Sequence, residues 1–189
     1  MISENNKREG IYLTGTGITV NNAIMSNNPE GLKIGPIAED EITLAGDVTI
    51  TNGEVGIVTR SNTQGTVRVT GNLISNRNVV GLLPLSDNFT IAVGGSYSGK
   101  SGKSGSGSLT ACDNNLYDIE NAGQSTFEGS DYTCDTAVPP GADLPVCKPC
   151  HPGCPSPSPS ESAEFSQIQH MIASFEADDD DDDPVLMDV

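Results

Sequence analysis

The chain has 189 residues, of which 21 are glycine, 12 are proline and only 4% are aromatic, with no tryptophan; this is not the composition of a helical bundle. The formal net charge is −17, yet residues 1–111 hold nine acids and eight bases, so the acidity belongs to the C-terminal part. We expect no nucleic-acid partner, because nothing here could neutralise a row of phosphates. No run approaches the about 20 apolar residues of a membrane span, and no signal peptide is visible.

Short apolar segments recur along the first half of the chain. Each unit opens with glycine and an aliphatic residue, at Gly10, Gly31, Gly56 and Gly81, with spacings of 21, 25 and 25 residues. A short alternating run follows each opening, and three units then close on an aliphatic residue, a hydroxyl and asparagine. The alternating runs are residues 18–20, 42–44, 67–69 and 89–91, and the closing runs are residues 24–27, 50–52 and 74–76. Three such segments per unit predict strands rather than helices.

A unit of this length cannot bury its inward side chains alone, but it can do so when stacked on copies of itself. We therefore predict parallel pairing between consecutive coils, with like residues in columns. The predicted columns are Ile11, Leu32, Ile57 and Leu82; Ile18, Ile42, Val67 and Phe89; and a turn ladder of Asn27, Asn52 and Asn76. A β-sandwich with regular turns is the alternative, although sandwiches do not repeat one pattern at matching positions.

These glycine-aliphatic openings, Ile-Thr-Val and Ile-Thr-Leu runs and Ile-Ser-Asn turns resemble the right-handed parallel β-helix of the pectin-lyase-like superfamily. The resemblance covers residues 2–111 and extends toward Cys134. It implies an all-β solenoid of four to five coils over residues 1–134. The superfamily includes polysaccharide lyases, glycoside hydrolases, epimerases and adhesins, so the resemblance is specific for fold rather than activity. Residues 2–6 read as the closing turn of a coil, so we expect that the chain starts mid-coil and that earlier coils and a signal peptide are missing.

Five cysteines follow the clear repeats. Cys112 and Cys134 are 22 residues apart, about one coil, and equivalent positions on neighbouring coils lie about 4.8 Å apart, within reach of a disulfide. We predict that these two cysteines are bonded. Asn88 begins an Asn-Phe-Thr glycosylation sequon, which fits the same oxidising, extracellular or cell-surface environment.

The remaining cysteines form the sequence CKPCHPGC, with Cys147, Cys150, His151 and Cys154, in a terminal segment over residues 135–154. The Cys-x-x-Cys-His spacing is that of covalent haem attachment, but no apolar pocket or axial partner accompanies it. A zinc site is chemically possible, although adjacent Cys150 and His151 do not easily ligate together. We favour a small disulfide knot in which two of the three cysteines pair locally.

Four segments do not follow the repeat. Residues 94–108 form a glycine- and serine-rich insertion between coils. Residues 155–189 begin with a proline- and serine-rich linker, continue with a short amphipathic helix marked by Phe165, Ile168, Ile172 and Phe175, and end in a disordered acidic tail. The tail contains six consecutive aspartates at 178–183, which could hold Ca²⁺ or a basic surface, or serve as a solvated spacer.

The coils carry no recognisable catalytic set, and both histidines, His151 and His170, lie outside them. Glu39, Asp40 and Glu41 form their one acidic cluster; it could bind Ca²⁺ or act as an acid pair, but a solvated turn is the simpler interpretation. We assign no catalytic residue and no other cofactor.

Two hypotheses about function remain. The first is a non-catalytic extracellular or cell-surface scaffold that serves in adhesion or binds polysaccharide or extracellular matrix through stacked Thr, Asn and Ser residues. Further coils of its parent chain are another expected partner. The second is a fragment of a polysaccharide lyase, epimerase or glycoside hydrolase whose active site lies largely outside this chain.

Overall fold

The computed structural model describes residues 1–36, 41–94, 106–138 and 144–151. In these ranges the secondary structure is entirely β, and no helix that could cross a membrane was found. Most of the insertion at 94–108, the linker, the helix proposed at residues 165–175, the aspartate run and Cys154 lie outside the described residues. The strands are β1 (Ile2–Glu4), β2 (Glu9–Leu13), β3 (Thr19–Ser26), β4 (Glu30–Ile34), β5 (Glu41–Thr51), β6 (Val55–Thr59), β7 (Gly65–Val69), β8 (Asn72–Asn76), β9 (Val80–Leu83), β10 (Phe89–Val93), β11 (Ser108–Cys112), β12 (Tyr117–Glu120), β13 (Thr126–Gly129), β14 (Tyr132–Thr133), β15 (Ala137–Val138) and β16 (Cys147–Lys148).

The strands stack into a parallel β-solenoid of about five turns, which confirms the predicted fold. One sheet has six strands in the order β15-β12-β9-β6-β4-β2, and the other has ten. Within the larger sheet the long strand β5 bends: residues Glu41 to Leu44 pair with β7, whereas residues Asp47 to Thr51 pair with β8. Each coil therefore contributes one strand to the smaller sheet and two strand segments to the larger one.

The first predicted core column is confirmed. Ile11 pairs with Leu32, Leu32 with Ile57 and Ile57 with Leu82, and Ile119 extends the column by one more coil. Leu32, Ile57 and Leu82 are each at most 3% exposed. Like residues from consecutive coils thus touch inside the solenoid, as the repeat predicted.

The second column is confirmed only in part. Ile42 pairs with Val67, but Val67 continues to Ile91 rather than to Phe89, which instead lies beside Gly65. The two residues are two apart and both are buried, so they point to the same side of β10. The alternating pattern therefore predicted correctly which side of β10 faces the core. It assigned Phe89 to the column, whereas the residue that continues the column is Ile91, two positions later. Thr19 is the register partner of Thr43. Ile18, the residue before Thr19, therefore lies beside Ile42 and is the first member of this column.

The turn ladder also differs from the prediction. Asn27 and Asn52 adopt a left-handed conformation at φ 55° and 61°, but the third equivalent residue is Arg77, at φ 59°, rather than Asn76. Hydrogen bonds between coils are instead made by an asparagine that directly follows the left-handed residue in three of the coils; Gly53 occupies this place in the coil after Asn28. The Oδ1 atoms of these asparagines accept backbone N–H groups from the coil before; the pairs are Asn28 with Asn6 at 2.9 Å, Asn78 with Gly53 at 2.9 Å, and Asn114 with Asn78 at 3.0 Å.

The opening glycines are required by the close approach of successive coils. A Cβ atom on Gly31 would lie 2.6 Å from the carbonyl oxygen of Gly56, and one on Gly56 would lie 2.5 Å from that of Gly81. Neither oxygen can move away cheaply, because it belongs to a hydrogen-bonded strand. The close approach of the backbones explains the glycine at the start of these units. In the coil after Gly81, Asp118 takes the equivalent place.

Replacing Gly56 with alanine should lower the free energy of unfolding by about 3 kcal/mol, since the new methyl group is forced against the backbone of the next coil. Chemical denaturation measures the change. Gly17→Ala is the matched control: its Cβ would have nothing within 4 Å, so only its left-handed backbone should cost about 1 kcal/mol. Equal losses in the two variants would contradict the close-approach explanation.

The C-terminal cysteines correct the predicted pairing. Cys112 is bonded to Cys150, and Cys134 is bonded to Cys147. Thr110 pairs with Thr133, so Cys134 is aligned with Ala111 and points inward, whereas Cys112 points to the opposite side of its strand. A bond between Cys112 and Cys134 is therefore prevented by alternation, although the number of residues between them suits one coil.

The segment after residue 134 also continues the stack instead of forming a separate knot. Strand β15 pairs with β12, and β16 pairs with β14. The two disulfides cross-link this short terminal rung to the coils before it. Two such bonds fit an oxidising environment.

Non-reducing peptide mapping should recover linked peptides that join Cys112 to Cys150 and Cys134 to Cys147. Removing the first bond with Cys112→Ser and Cys150→Ser should lower the free energy of unfolding by about 4 kcal/mol, and removing the second by about 3 kcal/mol, because the first closes the longer loop. Recovery of a peptide that links Cys112 to Cys134 would show that the pairing described here is wrong.

Candidate functional site

The two sheets present different surfaces. Every residue of β4, β6, β9 and β12 in the six-stranded sheet is buried. In the ten-stranded sheet, burial alternates along much of the central strands; in β8, for example, Leu73 and Ser75 are buried whereas Asn72 is exposed. We call the outward side of β5, β8 and β11 the polar face. Most outward side chains of this face are exposed or partly exposed.

A row of hydrogen-bonded polar side chains runs along one edge of the polar face, at the bend of the larger sheet. The Nδ2 atom of Asn72 donates to Asp47 at 2.9 Å, and the Oγ atom of Ser108 donates to Asn72 at 3.1 Å. On the coil before, the Oδ1 atom of Asn22 accepts the backbone N–H of Asp47 at 3.0 Å. We call these four residues the polar ladder. Their side chains hold one another in place from coil to coil.

Most side chains in the columns beside the polar ladder carry a hydroxyl or an amide, although isoleucine alternates with threonine in one of them. One column contains Thr49, Ile74 and Thr110, and the next contains Thr51 and Asn76. On the adjacent part of the same sheet, Thr66, Thr90 and Thr126 are register partners in three successive coils. This last column repeats a hydroxyl group at the rung spacing of about 4.8 Å.

The sequence predicted stacked Thr, Asn and Ser but missed the polar ladder. The sequence feature that marks the polar ladder is a glycine followed by a polar residue between two strand segments. It occurs at Gly46-Asp47, Gly71-Asn72 and Gly107-Ser108. The intervals between these dipeptides are unequal because the glycine- and serine-rich insertion lengthens the last one. Only the strand register shows that their polar residues form one row.

Of the acidic cluster predicted from the sequence, the structure describes only one residue. Glu41 lies 2.7 Å from the Nε atom of Arg68 on the neighbouring coil, whereas Glu39 and Asp40 lie outside the described residues. Within the described ranges, no group of three His, Cys, Asp or Glu side chains is placed to hold a metal ion. Ca²⁺ binding at Glu39, Asp40 and Glu41 stays a prediction.

The terminal cysteine cluster cannot supply the ligands that haem or zinc would need. Cys147 and Cys150 are both engaged in disulfides, so neither is available as a thiol. His151 contacts Asp113 at 3.1 Å, and this hydrogen bond raises the pKa of the imidazole. The local pairing expected among Cys147, Cys150 and Cys154 is replaced by bonds to the coils.

The glycosylation sequon lies on an accessible turn. The side chain of Asn88 is exposed, while Phe89 beside it is buried. The Nδ2 atom of Asn88 donates to Asp87 at 2.6 Å. Glycosylation of Asn88 stays a prediction, and the geometry leaves its amide within reach of solvent.

Buried charged residues in the six-stranded sheet were not anticipated from the sequence. Lys33 is only 2% exposed and lies 3.4 Å from Glu9 and 3.3 Å from Glu30. Burial raises the pKa of Glu30, although Lys33 lowers it in part. Aligning the repeats shows where these charged residues lie. Lys33 and Glu120 occupy the same column as Val58 and Leu83, which belong to the coils between them.

Glu120 is the second charged member of that column. It is 8% exposed, its Oε2 atom has no hydrogen-bond partner among the described residues, and burial raises its pKa to about 7. A raised carboxyl pKa is a feature of general acids, but a polysaccharide cannot approach a side chain that is packed inside the protein. We attribute the shift to packing.

No family profile, curated protein or solved structure matches this chain. The fold and the polar face therefore define it as a parallel β-solenoid protein. Its function has to be argued from the surface that the solenoid presents.

Glu120 should make the protein less stable as pH rises. Its carboxyl is protonated more readily in the folded protein than in the unfolded chain, so the free energy of unfolding should fall between pH of about 4.5 and about 7, by at most about 3 kcal/mol, and then level off. Glu30 contributes with the same sign, because its pKa is also raised.

Denaturation at a series of pH values measures this effect, and Glu120→Gln isolates it. The variant should be more stable than the wild type above pH of about 7 and should show a flatter profile. Stability that rises over this range in the wild type, or an identical slope in the variant, would contradict the assignment to Glu120.

Proposed function

We propose that this protein is a non-catalytic extracellular or cell-surface scaffold that binds polysaccharide along the polar face. The observation that carries the proposal is the polar ladder, in which Asp47, Asn72 and Ser108 are joined by side-chain hydrogen bonds along the stack. It fixes a row of donors and acceptors on a rigid sheet instead of on loops. A preorganised row loses little conformational entropy when it binds an extended ligand.

The chemistry of the polar face suits the hydroxyl-rich surface of a polysaccharide. Threonine hydroxyls and asparagine amides both donate and accept hydrogen bonds, and sugar hydroxyls do the same. Two acidic side chains lie on the outward side of β5: Glu41 is paired with Arg68, and Asp47 accepts a hydrogen bond from Asn72. We therefore infer a neutral or weakly charged polymer as the ligand.

An extended polymer can bind several rungs at once. Each rung repeats the same strand geometry at about 4.8 Å, so a chain lying along the solenoid axis would meet polar side chains of the polar ladder on successive rungs. Weak contacts that are repeated along one ligand add to a useful affinity. This explains how a surface without a deep pocket can serve as a binding site.

The extracellular setting is supported by two disulfides and by an exposed asparagine in a sequon at Asn88. Disulfides persist in oxidising environments. The repeat pattern remains similar to the right-handed β-helices of the pectin-lyase-like superfamily, and membership of that superfamily is part of this proposal. It rests on the glycine-aliphatic openings and the parallel stack.

Affinity electrophoresis against a panel of neutral and acidic soluble polysaccharides tests the proposal. The wild-type protein should be retarded by at least one neutral polymer. Asn72→Ala combined with Thr49→Ala should weaken that binding about thirtyfold, because two lost hydrogen bonds at about 1 kcal/mol each total about 2 kcal/mol. Ser61→Ala, in an exposed turn away from the polar face, should bind like the wild type.

Two outcomes would overturn the proposal. Failure to bind any polymer in the panel would remove the polar face as a binding site. Release of unsaturated or reducing ends during the assay would instead favour the polysaccharide-degrading alternative. Circular dichroism on each variant ensures that lost binding is not lost folding.

A further inference from the structure

A buried lysine of the six-stranded sheet lies between two carboxyl groups. The Nζ atom of Lys33 is 3.3 Å from the Oε2 atom of Glu30 and 3.4 Å from the Oε1 atom of Glu9. Lys33 is only 2% exposed and Glu30 only 5%. Charged groups that are removed from water in this way are costly to keep, even when they are paired.

The amine of Lys33 faces the carboxyl group of Glu30 as a whole. Its Nζ atom lies 3.5 Å from Oε1 and 3.3 Å from Oε2, so the carboxyl carbon between these oxygens also faces the amine. The closer oxygen, Oε2, has no hydrogen-bond partner among the described residues. Groups that react with each other are held at about 3–3.5 Å when they are positioned for attack.

The next coil places apolar side chains beside these two residues. The register partner of Glu30 is Val55 and that of Lys33 is Val58, and both valines are at most 1% exposed. Such surroundings favour a neutral product over an ion pair. They also exclude the water that would hydrolyse an amide once it has formed.

The two carboxyl groups have different environments, which suit different roles. Burial raises the pKa of Glu30, although Lys33 lowers it in part, so its carboxyl group keeps a proton at a higher pH than an exposed glutamate. An amine attacks a protonated carboxyl group, because a carboxylate repels it. Glu9 lies 3.7 Å from the Nη2 atom of Arg8, and its carboxylate is the group that can accept a proton from Lys33.

We propose that Lys33 and Glu30 condense to form an amide bond between their side chains, with Glu9 as the group that transfers protons. The ammonium of Lys33 first gives a proton to Glu9. Its Nζ lone pair then forms a bond with the Cδ atom of protonated Glu30. Glu9 passes its proton to the hydroxyl on Cδ, the Cδ–O bond breaks, and water leaves.

The step balances without a co-reactant. After water has left, Glu9 takes the second proton from Nζ, and the amide keeps the third. Nothing is oxidised or reduced, and the two buried charges of the pair are replaced by one neutral amide. In the linked protein Glu30 no longer titrates, so the fall in stability with rising pH then comes from Glu120 alone.

Peptide mapping of the reduced and unfolded protein tests the proposal. Trypsin cleaves after lysine and arginine but not after a lysine whose amine is bonded in an amide. We therefore expect a peptide over residues 9–60, lighter than its sequence by one molecule of water, instead of a cleavage at Lys33. Fragment ions over residues 9–29 should show no mass loss, because the bond begins at Glu30.

Acetylation of lysines in denaturant is an independent test with a control in the same chain. Lys148 lies only 2.8 Å from Asp131, but the two side chains are 66% and 47% exposed, so this surface pair should stay unlinked. Lys148 should therefore be acetylated completely and Lys33 not at all. Glu9→Gln keeps the shape of the side chain but removes the proton acceptor, and it should restore both cleavage and acetylation at Lys33.

Several results would overturn the proposal. A wild-type peptide of full mass that ends at Lys33, or acetylation of Lys33 in denaturant, would show that the two groups form only an ion pair. A mass loss already present in the fragments over residues 9–29 would place the bond at Glu9. Complete linkage in Glu9→Gln would remove Glu9 from the mechanism. The proposed polysaccharide binding is independent of these results.

Discussion

The parallel hydrogen-bond ladder between consecutive coils is the constraint on which the rest of the structure depends. It holds each residue beside its counterpart one coil away, and the glycine column makes any sliding costly. At Gly31 and Gly56 the backbones approach so closely that no Cβ atom fits between them. A slip by one residue would exchange the inward and outward sides of every strand. The register therefore determines both the core and the surface.

The inward columns were largely predictable because the register repeats a simple chemical requirement. Ile11, Leu32 and Ile57 are interchangeable aliphatics, and burying them is the condition for stacking. The column members were predicted less accurately where two buried residues of one strand could both fill the same place in the core. Phe89 and Ile91 lie on the same side of one strand, so periodicity alone cannot show which of them continues the column of Val67.

The cysteines show a different limit. Counting residues estimates how far along the stack two positions lie, but it does not fix which side of the strand each one faces. Coil lengths vary and the insertion at residues 94–108 interrupts the count, so the opposite orientations of Cys112 and Cys134 could not be read from their separation. The even spacing of a repeat predicts proximity more reliably than it predicts side-chain direction.

Residues in the outward columns do not have to be apolar, because they are not packed in the core. The candidate site lies among these outward residues. Stacked Thr and Asn residues were expected from the sequence, but the polar ladder required the register, because Asp47, Asn72 and Ser108 are not evenly spaced along the chain. Lys33 and Glu120 were missed for the opposite reason. They occupy positions where neighbouring coils place Val58 and Leu83, so the repeat pattern favoured apolar residues there.

The position of the polar ladder within the stack bears on how well it can serve as a binding surface. In a solenoid each coil is stabilised mainly by its neighbours, so terminal coils have support on one side only. The C-terminal end is held by two disulfides, and Asn28 secures the first coil through Asn6 and Ser3. Asp47 and Asn72 lie between these ends, with paired strands on both sides. This pairing on both sides limits the movement of the row of side chains that the proposed extended ligand would bind.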